Sequence, residues 1–172
     1  MRIDQIMIKM MMDEYQVGIY SASVRFVEIF HFMPKIIMIS FLPILLRSKN
    51  YNYQLTNLNS IIFKIAMIIM IIVFFGSNYL IETIYGKNYI ESIFITKILC
   101  FSLIFVFFGV VNEHWYIKNS LQLNYAYNVF FGALLNIILN YILILYYGSI
   151  GAAISTIITY FFIIFIFDFF SF

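Results

Sequence analysis

Arg25, Glu28, His31 and Lys35 lie inside an apolar stretch, Val17 to Leu46, that is long enough to cross a bilayer. At about 3.6 residues per helical turn, the four positions fall within roughly a 120° arc of one helix face. Ionisable groups are expensive at membrane depth and normally face a protein interior or a water-filled cavity. A charged stripe on an otherwise apolar helix suits a transporter of polar cargo. Three basic positions against one acid would favour phosphate or pyrophosphate by Coulomb attraction in a partly dry site. Lys64 and Lys97 sit near helix ends, where a long side chain can snorkel to water.

Asp4 is a second candidate. The turn between the first two helical segments centres near Glu14 and Tyr15, and Asp4 and Arg25 lie at similar distances on either side of it. Antiparallel packing would put both on the order of 16 Å from the turn, where an ion pair would hold either charge most cheaply. The alternatives are local pairs, Asp4 with Arg2 or Lys9 and Arg25 with Glu28. Tyr20, Tyr116, Tyr125 and Trp115 could stack on sugar faces, but such residues also populate membrane interfaces, and the interfacial belt is the preferred reading. Enzyme chemistry finds little support. No two carboxylates share a helix face at a useful spacing, and Glu113 and His114 are adjacent and so diverge on a helix. Cys100 is the single cysteine and reads as a small buried residue. No zinc-like spacing and no cofactor motif is present, although coupling to a proton or sodium gradient would fit a transporter.

The elements that must carry these residues are membrane helices. The 172 residues are 64% hydrophobic and only 10% charged, with a mean hydropathy of +0.98. Soluble domains carry about a quarter charged residues. The net charge of +2 and the lack of a basic tract give no reason to expect nucleic-acid binding. The sequence predicts an all-α polytopic helix bundle, a single transmembrane domain over residues 1–172. It has about five full spans: Val17–Leu46, Ile61–Leu80, Ser92–Ile117, Tyr125–Tyr147 and Ile150–Phe170. Met1–Met12 makes a sixth, partial one. Continuous apolar runs without alternation argue against a spanning barrel.

Loop charges give an orientation. Arg47, Lys49 and Lys118 would be cytoplasmic, and Asp13, Glu14, Glu82, Lys87 and Glu91 external. Pro34 and Pro43 remove backbone donors from the charged helix and should bend it. The short link Tyr147–Ile150 makes the last two spans an antiparallel hairpin. Gly148, Gly151, Ala152, Ala153 and Ser155 would let its arms approach closely.

Taken together, several segments resemble one family. Arg2-Ile3-Asp4-Gln5-Ile6-Met7, then Val17-Gly18-Ile19-Tyr20-Ser21-Ala22, then Arg25 and Glu28 up to Pro34, resemble the start of the second half of bacterial polysaccharide flippases. So do Leu135-Asn136-Ile137-Ile138-Leu139-Asn140 and the run Tyr147 to Thr156, while Gly86-Lys87-Asn88-Tyr89 resembles their short external motif. Leu145 departs from the family, which commonly has proline there. The resemblance spans essentially the whole chain and implies the superfamily of O-antigen and capsule repeat-unit flippases and multidrug exporters. Such proteins have two lobes of about six helices around a cationic cavity and move undecaprenyl-pyrophosphate-linked oligosaccharides across the bacterial inner membrane. Asp4, Tyr20, Arg25 and Glu28 match the family motif; His31 and Lys35 do not, and rest on the stripe alone. The family's roughly twelve spans imply a C-terminal-lobe fragment. Its expected partners are the lipid-linked oligosaccharide, membrane lipids, and either a separate N-terminal lobe or a second copy. A multidrug or cation exporter lobe, or a membrane fragment without transport activity, are the rival expectations.

Overall fold

The computed structural model describes residues 3–167, with side chains described for 3–165. Six α-helices follow one another: α1 (Ile3–Met11), α2 (Glu14–Arg47), α3 (Tyr51–Tyr85), α4 (Ile90–Leu99), α5 (Ser102–Lys118) and α6 (Gln122–Phe161). No strand occurs among the described residues. Three helices are long and apolar enough to cross a membrane, or four if the bent pair α4–α5 counts as one span.

The breaks have local causes. Asp13 caps α2, its carboxylate accepting from the Gln16 amide at 2.8 Å. With Glu14 beside it, it also places negative charge at the positive end of the helix dipole. The helix α3 ends at Gly86, whose φ of 82° is a conformation that side chains resist. Ser92–Ile117, expected as one span, is built of two helices meeting at 44°. At the bend, Phe101, Leu103 and Ile104 donate to carbonyls three residues back rather than four. The Ser102 hydroxyl takes the Leu99 carbonyl at 2.6 Å, and the Cys100 thiol takes that of Lys97 at 3.0 Å. Side chains competing for helical carbonyls in this way bend a helix without proline or glycine. The helix α2, in contrast, continues through both Pro34 and Pro43.

The helix α6 folds back on itself at Gly148, at φ 60° and ψ −140°. Its two arms, 122–147 and 149–161, run antiparallel, as the short link implied. Asn136 meets Thr159 and Asn140 meets Ser155. A Cβ on Gly151 would collide with the Leu143 backbone, and one on Gly132 with Ile163. Glycine is therefore required at Gly151 for close approach of the backbones, whereas at Gly132 the Ile163 side chain would have to move aside. The final residues of the expected last span, 168–170, lie outside the described residues.

The bundle has an apolar exterior and an apolar core crossed by a polar seam. Along the first arm of α6 the buried residues are Asn128, Gly132, Asn136, Asn140 and Ile144, a strict four-residue spacing that makes one face. Phe130, Ile138 and Leu145 face outward. Likewise Ile29 is 64% exposed and Phe75 76%. A polar seam beneath an outer surface of large apolar side chains is the construction of a membrane protein, where lipid replaces water as the surrounding medium. The apolar core, including Ile8, Ile19, Phe26, Ile62, Leu103 and Phe107, joins α1, α2, α3 and α5. Cys100 is fully buried in it, as its setting suggested.

Candidate functional site

Asp4, on α1, is 2% exposed and lies at the centre of a polar network. The Asn140 amide donates to Oδ1 at 2.7 Å, the Tyr20 hydroxyl to Oδ2 at 3.1 Å, and the Thr156 hydroxyl to Oδ2 at 3.3 Å. The network continues outward. Asn140 Nδ2 also reaches Asn136 Oδ1 at 3.0 Å, Ser155 donates to Asn140 Oδ1, and Asn136 Nδ2 reaches the Thr159 hydroxyl at 3.3 Å. Asp4 thus bridges α1, α2 and both arms of α6. A buried carboxylate is costly without partners, and here hydrogen-bond donors on three sides supply them.

This arrangement overturns the expected Asp4–Arg25 pair. Arg25 is exposed on α2, and the single ion pair among the described residues joins Lys9 to Glu14 at 3.3 Å, on the surface. The nearby hydroxyls and amides of Tyr20, Thr156 and Asn140 cost less to bury than a guanidinium would, which favours them over Arg25 at this depth. Of the local alternatives, Lys9 pairs elsewhere and Arg2 lies outside the described residues. Carboxylate, amide and hydroxyl oxygens are the atoms that a proton or a small hard cation takes. Among the described residues no group of three or more His, Cys, Asp and Glu gathers as a transition-metal site.

Beside this network, three of the four stripe residues come together. Glu28, His31 and Lys35 line an open-sided cavity of about 500 Å³, opposite Asn112 and Glu113 of α5. Phe32, Phe105, Tyr125 and Tyr160 supply aromatic walls. A smaller chamber of about 60 Å³, lined by Asp4, Tyr20, Ser102 and Thr156, shares Glu28, His31 and Tyr160 with the larger one. Arg25 lines neither cavity. The reason is angular. On α2, Arg25 stands about 60° or more from Glu28, His31 and Lys35, enough to turn it past the groove's edge.

The charge balance therefore differs from the expected cationic cavity. Two carboxylates, Glu28 and Glu113, face one ammonium, Lys35, and one imidazole, His31. Glu113 is invisible to a reading of its own helix because its counterpart, Glu28, comes from α2. Asn136, Asn140 and Thr156 appeared in the sequence only as motif residues. The four-residue spacing of Asn128, Asn136 and Asn140 on one face was the signal that could have marked Asn136 and Asn140, and Thr156, on the other arm, had none. The aromatic expectation also changes. Tyr20 and Tyr116 are each 1% exposed and belong to the interior rather than an interfacial belt, while Tyr125 lines the groove. Lys64 is exposed, but α3 begins at Tyr51 and so places it thirteen residues inside the helix rather than near its end, and the Lys97 ammonium lies 5.5 Å from the centre of the Phe74 ring.

Compared with protein-family models, curated proteins and solved structures, the chain matches none of them.

Proposed function

We propose that this bundle is one lobe of a transporter that moves lipid-linked oligosaccharides across the bacterial inner membrane. The observation that carries the reading is the open-sided groove, which puts charged, amide and aromatic side chains on one face of a bundle with an apolar exterior. Sugar hydroxyls both donate and accept hydrogen bonds, so Asn112, Glu28 and Glu113 suit them, and aromatic rings such as Tyr125 suit their C–H faces. Lys35 and His31 suit a linking phosphate. A groove open at the side lets a lipid tail remain in the bilayer while its head group is sheltered. The resemblance of the ordered motifs from Asp4 to Thr156 to polysaccharide flippases supports the same reading.

In this reading the chain crosses the membrane five times, α6 contributing two crossings through its hairpin. Arg47, Lys49 and Lys118 are cytoplasmic. Asp4 and its oxygen-bearing neighbours take the coupling ion, a proton or sodium. A second lobe, supplied by another chain or a second copy, covers the groove, because Glu28 and Lys35 facing lipid would be costly.

Export of amphipathic cations is the second reading, favoured by the pair of carboxylates Glu28 and Glu113. The test is complementation of a repeat-unit flippase deletion, with and without a co-expressed first lobe. It is joined by reconstitution of the purified chain with a fluorescent lipid-linked sugar. The expected result is quencher-protected sugar only when a second lobe is present. Flipping by a strictly monomeric chain would overturn the one-lobe reading, and failure of every combination would overturn the cargo.

A further inference from the structure

A third chamber, of about 120 Å³, lies between α3 and α5 and is lined by Thr56, Asn59, Asn112 and Trp115. Asn112 also lines the large groove, as Glu28, His31 and Tyr160 line both the groove and the Asp4 chamber. Neighbouring cavities thus share wall residues. Two buried polar atoms without a hydrogen-bond partner among the described residues, His31 Nε2 and Asn59 Oδ1, belong to residues lining this series. A third, Thr96 Oγ1, lies apart from it.

Buried polar groups normally find a partner in protein or water, and a water needs only about 10–15 Å³ in a polar setting. Both small chambers exceed that. Asn59 is eight residues into α3, about 12 Å from the end that carries Lys49. We propose that the three cavities form one hydrated route by which a monovalent cation reaches Asp4 from the Arg47, Lys49 and Lys118 end of the bundle. This inference rests on Asp4 as the ion site and needs no particular cargo. Within the groove Glu28 and Glu113 outnumber Lys35, so a cation that has passed the basic residues at the end of the bundle is drawn inward.

Silver ion tests the route directly, being a monovalent cation that bonds a thiol as its proton leaves. Single cysteines are placed in a Cys100→Ala background, and the chain is held in lipid nanodiscs. Ser102→Cys reports on the Asp4 chamber and Asn59→Cys on the outer one. Ser77→Cys is the buried control off the route, and Phe75→Cys the lipid-facing one. Protection from maleimide after unfolding measures how fast silver arrived. Thiols at 102 and 59 should react about tenfold or more faster than those at 77 and 75, since silver reaches Ser77→Cys only by local opening. Equal rates at 102 and 77 would show a closed inner chamber and overturn the route, and so would equal rates at 59 and 75. Leu99→Cys, in the same inner chamber, replaces Ser102→Cys if that variant does not fold. Because no transport is measured, a wrong cargo leaves this result intact, and a closed route leaves the cargo reading intact.

Discussion

Asn140 donates to Asp4 at 2.7 Å, joining residues 136 positions apart in the chain. This bond and the Thr156 bond at 3.3 Å tie the first helix to the last hairpin. They make α1 an integral part of the bundle. Ile8, one turn from Asp4 on the same face, is fully buried and adds apolar packing to that attachment.

From this bond follows a stability prediction. Asn140→Ala should cost about 1–3 kcal/mol by leaving Asp4 short of a donor at membrane depth. Asp4→Ala should cost a similar amount by orphaning Asn140, Tyr20 and Thr156. The double variant should lose clearly less than the sum, because the partner no longer needs satisfying. Thermal unfolding of the three variants in one detergent checks it; strictly additive losses would reject the coupling.

The hairpin gives a second prediction, set by two glycines with opposite surroundings. A Cβ at Gly151 meets the Leu143 backbone, whereas at Gly18 nothing lies within 4 Å. Gly151→Val should therefore cost about 1–3 kcal/mol or more and lower the yield of monodisperse protein. Gly18→Ala should be neutral or stabilising by up to about 1 kcal/mol, since alanine favours a helix interior. Fluorescence-detected gel filtration with a temperature ramp measures both. Equal behaviour of the two variants would contradict the close packing of the arms.

Orientation is tested separately. Lys49→Cys and Lys87→Cys, each in a Cys100→Ala background, are exposed to an impermeant thiol reagent in intact cells. Labelling is expected at 87 and not at 49, from the excess of basic residues at the α2–α3 and α5–α6 connections. The reverse pattern would invert the topology.

The sequence made the helices legible and left much of the site hidden, for a physical reason. Apolar length and the short link at Gly148 are local properties, and they located α2, the terminal hairpin and the apolar middle of α3, whose polar first ten residues, 51–60, were missed. The bend after Cys100 was hidden because it arises from hydroxyl and thiol hydrogen bonds to carbonyls rather than from proline or glycine. The stripe of Glu28, His31 and Lys35 followed from helical geometry alone. The partners of Asp4 did not. A charge suggested a countercharge, whereas the fold satisfied it with Tyr20, Asn140 and Thr156, polar residues too common along this chain to stand out. Glu113 was hidden likewise, since its meaning depends on α2 lying across the groove.

The last prediction separates the two cargo readings through the sign of a charge effect. Trp115 is the chain's single tryptophan and lines the chamber adjoining the groove, so its fluorescence reports binding there. The probes are an undecaprenyl-pyrophosphate-linked sugar and an amphipathic cation. With the anionic probe, Lys35→Gln should weaken binding about tenfold, near 1.4 kcal/mol, by removing the groove's ammonium. Glu113→Gln should tighten it, because a carboxylate repels pyrophosphate. With the cationic probe both effects change sign. Arg25→Gln, outside both cavities, should move neither affinity by more than about twofold, since its charge lies farther from a bound probe than those of Lys35 and Glu113, which line the groove. Tightening of the anionic probe by Glu113→Gln together with its weakening by Lys35→Gln would support oligosaccharide translocation. The opposite pair of signs, with binding of the cation alone, would transfer the groove to cation export. A large loss from Arg25→Gln would show that the charged stripe acts as one unit and that the groove's edge is drawn in the wrong place.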